Sequence, residues 1–168
     1  MKSTRSGVGI EMTLQSIANL AWRYHFDPSV CYLAGKLLEG EPTVARKVQA
    51  VVNYIHEHGQ SSGDANETFA FSVANPSLDA DDAVLAAAAI CMAGSDRPTS
   101  IGIPCRIVGA RFGQSWTCWL AYQDGDEWVT IDVVKNGQRP TLEPDEQVIA
   151  IPQELAAAVS SLTVRLRP

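Results

Sequence analysis

The side chains able to do nucleophilic, acid–base or metal chemistry are few in this chain and lie far apart in sequence. The cysteines are Cys31, Cys91, Cys105 and Cys118, and the histidines are His25, His56 and His58. No CxxC pair occurs, and no cysteine has a histidine at ligand spacing. The pattern therefore predicts neither a metal site nor a bound cofactor. It indicates four buried thiols in a reducing compartment.

A cluster of carboxylates stands directly before the most apolar stretch of the chain. It reads Leu78-Asp79-Ala80-Asp81-Asp82 and is followed by AVLAAAAICMAG. The pattern predicts a buried helix over 79–93 with Asp79 as its cap. Acidic side chains are favoured at a helix start by the helix dipole alone, so this cluster by itself does not indicate a site.

Three further motifs follow in order. They are Gly102-Ile103-Pro104-Cys105-Arg106, Phe112-Gly113-Gln114-Ser115-Trp116-Thr117-Cys118 and Trp128-Val129-Thr130-Ile131-Asp132. Together with the acidic helix start, these segments resemble a transglutaminase-like domain, which is a papain-type cysteine enzyme. The chain is similar to the versions of that domain found in tailed phages and prophages. The resemblance covers residues 43–134.

The resemblance implies a specific constellation for acyl transfer. In the family, a cysteine at the helix start is activated by the helix dipole and the free backbone amides, which lower its pKa. A histidine on the next strand accepts the thiol proton, and a carboxylate on the following strand orients the histidine. Such a triad supports amide cross-linking, deamidation or peptide hydrolysis.

In this chain two of the three roles are empty. Ala80 stands at the nucleophile position, and a methyl group cannot attack a carbonyl. Gln114 is the favoured match for the base, and Trp116 is the match in an alternative register; neither side chain titrates as a general base. Asp132 alone retains its role, that of the orienting acid. The catalytic positions are therefore predicted to be vestigial.

The resemblance implies a cleft between the acidic helix start and the sheet, where the catalytic site of the family would lie. The remaining polar and aromatic residues of these motifs are candidate contacts of this old cleft. They are Asp79, Asp81, Asp82, Trp116, Cys118 and Arg106. On a strand, Cys118 would share a face with Gln114 and Trp116, so it could point toward the site. Nothing in the sequence activates this thiol as a replacement nucleophile. Ordinary core aromatics and surface strand residues are the plain alternative for the tryptophans and Arg106.

Hydrophobic spacing predicts the elements that must position these residues. Helices are expected over 10–24, from Asp27-Pro28 to about 40, over 44–59, over 79–93 and over 152–159. A loop is expected at 59–68. Strands are expected over 103–112, 116–122, 127–134, 147–151 and 162–166. Helices followed by an antiparallel sheet define an α+β fold, here with a transglutaminase-like or papain-like core.

Composition and charge limit the number of domains, the classes of partner and the cellular location that the chain can have. The chain has 168 residues with 46% hydrophobic residues and a net charge of −6. It predicts one domain over 1–168, with a helical lead-in at 1–42, the core at 43–134 and a C-terminal extension at 135–168. The acidic balance disfavours nucleic acid, and no apolar run approaches a membrane span. The N-terminus lacks a secretory signal, which indicates the cytoplasm, meaning the host cytoplasm or a virion for a phage protein.

We expect a catalytically inactive module that binds a protein partner or forms a homo-oligomer, with no nucleic acid and no membrane contact. The resemblance suggests a phage virion or assembly component. An active thiol acyl-transferase or peptidase, captured as a Cys-to-Ala variant at position 80, is a second hypothesis. A third is a small-ligand binder that uses Asp132, Arg106 and Gln114 as polar contacts.

Overall fold

Four helices precede four strands in the computed structural model, which describes residues 7–59, 76, 78–93 and 102–157. The helices are α1 (Gly7–Tyr24), α2 (Pro28–Leu38), α3 (Val44–His58) and α4 (Ala80–Ala93). The strands are β1 (Cys105–Phe112), β2 (Ser115–Asp124), β3 (Glu127–Ile131) and β4 (Glu146–Ala150). The predicted α+β class, with helices before an antiparallel sheet, is confirmed. The predicted loop at 59–68, beyond Gly59, and the predicted strand at 162–166 lie outside the described residues.

Side-chain caps set where α2 and α3 begin. The carboxylate of Asp27 accepts a hydrogen bond from the Ser29 backbone N–H at 2.9 Å, and Pro28 occupies the first helical position. The hydroxyl of Thr43 accepts one from the Arg46 N–H at 3.2 Å. Both caps satisfy backbone donors that the first helical turn cannot pair internally. The sequence signal for the start of α2, Asp27-Pro28, is therefore confirmed, whereas the Thr43 cap of α3 was not predicted.

Helix α4 lies at the centre of the molecule. Every residue from Ala83 to Ala93 is buried, as its apolar composition predicts. The other three helices and strands β1 and β2 all pack against it. Helix α1, from the predicted lead-in, also contacts β1 and β4, so the lead-in is part of the same core.

One glycine permits the close approach of α1 to the sheet. A Cβ atom added to Gly109 in β1 would lie 2.5 Å from Cδ1 of Leu14 in α1. Leu14 is itself buried in the main core. A side chain at this position would force the buried Leu14 side chain to shift.

The sheet is antiparallel with strand order β3-β2-β1-β4. Two-residue turns join β1 to β2 and β2 to β3, with Gly113 and Gly125 both at a φ of 62°. The predicted third strand was too long, because the chain leaves the ladder after Ile131 and turns through residues 133–137. Asn136 and Gly137 adopt positive φ there, which a strand does not allow.

The two faces of the sheet differ in what covers them. The inner face, which carries Ile107, Trp116, Cys118 and Leu120, packs against the helices. The outer face carries a smaller buried cluster made of Val108, Ala110, Trp119 and Ala121. In the described part of the chain no helix covers this outer face.

A crossing segment, residues 133–145, connects β3 at one edge of the sheet to β4 at the other. Its far end is anchored at the β1–β2 turn. The Asp145 N–H donates to the Arg111 carbonyl at 2.8 Å, and the Asp145 carboxylate accepts from the Gly113 N–H at 2.7 Å. Arg111 pairs with Glu146 at 3.1 Å. The extension after residue 134 therefore completes the sheet, and residues 153–157 add a short helical turn.

The prediction of four buried thiols is wrong for one of them. Cys91, Cys105 and Cys118 are buried, but Cys31 is exposed. The buried stripe of α2 consists of Val30, Ala34 and Leu38, and Cys31 lies beside that stripe. Helical periodicity turns it toward solvent.

Candidate functional site

The start of α4 lies where the family resemblance expects a nucleophile. The Asp79 carbonyl accepts the Ala83 N–H at 2.8 Å, so Asp79 occupies the N-cap position as predicted. Ala80 is the first helical residue, and Asp81 and Asp82 fill the first turn. These first-turn residues are half-buried. Two carboxylates here are stabilised by the positive end of the helix dipole.

Cys118 is the thiol that β2 brings toward this helix start. It is 1% exposed and lies opposite Gly109 on the inner face. Burial, with the nearby carboxylate of Asp81 as the second cause, raises the pKa of Cys118 to about 12. The thiol is therefore protonated at neutral pH and is not a nucleophile. Proximity to a helix start does not activate a cysteine that has been removed from water beside a carboxylate.

Trp116 occupies the inner face two residues before Cys118. It is 5% exposed and belongs to the main core. Gln114 instead lies in the exposed two-residue turn that precedes β2, so the expectation that it shares a face with Trp116 and Cys118 is wrong. Of the two candidate base positions, only Trp116 faces the helices. Its indole fills space with an apolar ring that cannot accept a proton.

Asp132 faces the other side of the sheet. The β2–β3 register pairs Ile131 with Leu120 on the inner face, so the next residue points outward. Its Oδ1 accepts the Lys135 N–H at 3.2 Å, and its backbone pairs with Gln138. The expectation that Asp132 orients a base in the cleft is therefore wrong for this geometry. The carboxylate instead closes the turn at the start of the crossing segment.

Arg106 is likewise on the outer face and not in the cleft. Its guanidinium carbon lies 3.5 Å from the centroid of the Trp128 ring, which is a cation–π contact. Its Nε is buried without a hydrogen-bond partner among the described residues. Burial lowers the pKa of Arg106.

His56 lies nearer to the predicted site than the sequence suggested. Its Nε2 is 2.7 Å from the carbonyl oxygen of Val133, the residue after Asp132. A carbonyl only accepts, so Nε2 carries the hydrogen and donates it. Gln49 donates to the Asn136 carbonyl at 3.3 Å from the same helix. These contacts hold the turn after β3 against α3, and no short motif in the sequence signals them.

The outer face also contains a cavity of about 300 Å³ between the sheet and the crossing segment. Phe112, Thr117 and Trp119 line it from the sheet. Asp132 and Lys135 line it at one end, and residues 138–142 form the opposite wall. Phe112 and Trp119 meet edge to face with ring centroids 5.9 Å apart. Sequence reasoning named Asp132 as a contact but did not predict this cavity, because the crossing of 133–145 carries no local signal.

Within residues 7–59, 76, 78–93 and 102–157, no group of three histidine, cysteine or acidic side chains converges as a metal site would require. The helices of those same ranges are too short or too polar to cross a membrane. Comparison with family models, with curated proteins and with solved structures found no match to this chain.

Proposed function

We propose that this chain is a catalytically inactive, transglutaminase-like domain that serves as a protein-binding or structural module. One observation carries the proposal. The helix that would activate a nucleophile begins at Ala80, and the strand beside it presents the Trp116 indole and a protonated, buried thiol. None of these three side chains can supply the nucleophile or the base of a thiol acyl transfer at neutral pH.

The positions of the other motif residues support the same proposal. Asp132 closes a turn on the outer face, and Arg106 stacks on Trp128. Both are committed to local structure and face away from the start of α4. These side chains therefore do not converge with Ala80 on one catalytic site, which supports a role in binding or structure and not in acyl transfer. By the family resemblance, the setting we propose is a virion or an assembly complex, with a protein partner or further copies of the chain.

Reconstruction of the site tests the proposal. The parent is compared with Ala80→Cys alone, with Ala80→Cys plus Trp116→His, and with Ala80→Cys plus Gln114→His. Each protein receives a thiol-reactive electrophile and, separately, a glutamine-donor peptide, and far-UV circular dichroism checks its fold. We expect an inert parent and a fast-reacting thiol at position 80, because the helix dipole lowers the pKa of a thiol there.

Each outcome has a distinct meaning. Turnover of the donor peptide by the parent would overturn the proposal. Acyl transfer by Ala80→Cys alone would support the hypothesis of an active enzyme with an altered nucleophile. Activity only in the Trp116→His combination would support the register in which Trp116 replaced the base. If no variant transfers acyl groups, the resemblance at the site fails, and the inactive module stands on the parent alone.

A second candidate function, small-ligand binding, is favoured by the outer-face cavity. Two aromatic rings and the Asp132 carboxylate converge there, which is the mixture of apolar walls and few polar groups that ligand sites use. A thermal shift with a metabolite panel tests it, since a ligand at a hundred times its Kd adds about 2.7 kcal/mol. Thr117→Val should abolish such a shift, and Gln147→Ala on the exposed part of β4 should not. A panel without any shift would remove this candidate.

A further inference from the structure

Two buried cysteines meet at the far end of α4, away from the proposed vestigial site. Cys91 lies in the last turn of α4 and is 0% exposed, and Cys105 opens β1 and is 1% exposed. The Cys91 thiol neighbours that of Cys105, and after burial it is the second cause of the raised pKa of Cys105. Cys118 has no such thiol partner among the described residues, so the two buried environments differ.

The backbone holds this pair in place. The Ile103 N–H donates to the Cys91 carbonyl at 2.9 Å, and the Gly102 N–H donates to the Met92 carbonyl at 2.8 Å. The Cys105 thiol also contacts the Ile103 carbonyl at 3.3 Å. The chain that enters β1 is thus tied to the last turn of α4. A disulfide requires sulfurs that can approach to about 2.05 Å without backbone movement, and two neighbouring thiols on segments that are tied together by backbone hydrogen bonds are placed for that approach.

We propose that Cys91 and Cys105 are a modification site that forms an intramolecular disulfide on exchange with a low-molecular-weight disulfide such as oxidised glutathione. One thiol loses its proton and its sulfur attacks the glutathione disulfide, which releases one glutathione thiolate. The second protein thiol then loses its proton and attacks the mixed disulfide, which releases the second glutathione thiolate. Two protein thiols are oxidised, one small disulfide is reduced, and the two protons end on glutathione.

The surroundings of the pair make the exchange slow and give the resulting disulfide a structural role. Burial, and then the neighbouring Cys91 thiol, raise the pKa of Cys105, so the reactive thiolate is scarce. Reaction needs a transient separation of the end of α4 from β1. Once formed, the bond joins the central helix to the sheet and restricts the unfolded chain. The pair therefore suits a slowly formed structural cross-link and not a catalytic dithiol.

The test uses the full chain in glutathione buffers that range from reducing to oxidising. Free thiols are alkylated, and linked peptides are mapped under non-reducing conditions. We expect a Cys91–Cys105 peptide to accumulate, while Cys118 stays alkylatable after unfolding. Closing a loop of about 15 residues should raise the Tm of the oxidised protein by roughly 6–12 °C.

Three results would overturn the proposal. One is a chain that stays reduced under conditions that oxidise the same chain in urea. A second is a disulfide that joins any other pair, such as two exposed Cys31 thiols from different molecules. The third is an oxidised form with a lower Tm than the reduced form.

Matched variants locate the effect. The double variant Cys31→Ser with Cys118→Ala should still form the bond and show the same rise in Tm. Cys105→Ala should lose both. If Cys105→Ala does not fold, peptide mapping of the double variant decides the question, since its remaining cysteines are Cys91 and Cys105.

Discussion

The inner and outer faces of the same four strands are built from similar residues and have different surroundings. On β2, Trp116 points inward and Trp119 points outward, and they are 5% and 4% exposed. The inner tryptophan belongs to a core shared with four helices. The outer one is covered by neighbouring side chains and the largely exposed crossing segment. Equal burial is thus reached by helix packing on one face and by a largely exposed segment on the other.

The two faces also differ in the space that they leave for a ligand or partner. The inner face is filled, since Trp116 and the protonated Cys118 are both buried against the helices. The outer face retains a cavity with charged and aromatic walls. A thermodynamic difference between the faces should therefore be measurable with matched substitutions.

The largest effect is expected from the two tryptophans. Trp116→Ala should lower the free energy of unfolding by about 4–5 kcal/mol, because the helices around the resulting cavity cannot collapse into it. Trp119→Ala should cost about 3 kcal/mol, because the crossing segment can relax toward the gap. Urea denaturation of both variants measures the difference. Equal costs, or a larger cost for Trp119→Ala, would remove the distinction between the faces.

A smaller inner-face effect should follow from filling the contact between α1 and β1. Gly109→Ala places a methyl group against Leu14 and should destabilise the protein by about 1–2 kcal/mol. Gly35→Ala in α2 is the matched control, since no atom lies within 4 Å of its added Cβ. That control should stabilise the protein by about 0.5–1 kcal/mol. The prediction fails if both substitutions change stability in the same direction.

Alkaline pH should weaken the inner face through Cys118. Its pKa is raised from 9.0 to about 12 in the folded protein. Between these two pH values the Cys118 thiol ionises in the unfolded chain but stays protonated in the folded protein. The contribution of this thiol to stability is therefore fully present below pH 9 and is lost as the pH rises toward 12. The slope from this one group is about 1.4 kcal/mol per pH unit. Cys118→Ala should reduce the measured slope by that amount, and Cys31→Ala should leave it unchanged.

The smallest effect is expected from the outer-face cation–π contact. Arg106→Gln should cost about 0.5–1 kcal/mol, because the ring of Trp128 loses its cation while the neighbouring side chains remain. Arg106→Lys keeps a charge and should recover part of that loss. Thermal unfolding compares the three proteins. A cost above that of Gly109→Ala would show that the outer face is less tolerant than the comparison assumes.

Local signals in the sequence were sufficient to predict most helices and strands. They were not sufficient to predict on which face of the sheet a side chain lies. Asp27-Pro28 and Asp79 marked helix starts because capping is a property of adjacent residues. The outward direction of Asp132 depends on the pairing of Ile131 with Leu120, which a strand pattern alone does not fix.

Two further features could not be predicted from the sequence, because they also depend on how distant segments pack. Gln114 lies in the two-residue turn that joins β1 to β2, so it does not share a strand face with Trp116. The contact of His56 with Val133 joins residues 77 positions apart. Both are set by tertiary packing, which neither periodicity nor composition encodes.

The crossing segment also has a consequence for the order of folding. Strands β1, β2 and β3 pair through two-residue turns, so their contacts are local in sequence and can form early. Strand β4 reaches β1 only after the chain has passed across the sheet, with Arg111 meeting Glu146 35 positions later. Closing that longer loop should follow formation of the three-stranded meander. The outer-face cavity, whose second wall is the crossing segment, is then among the last parts of the molecule to take shape.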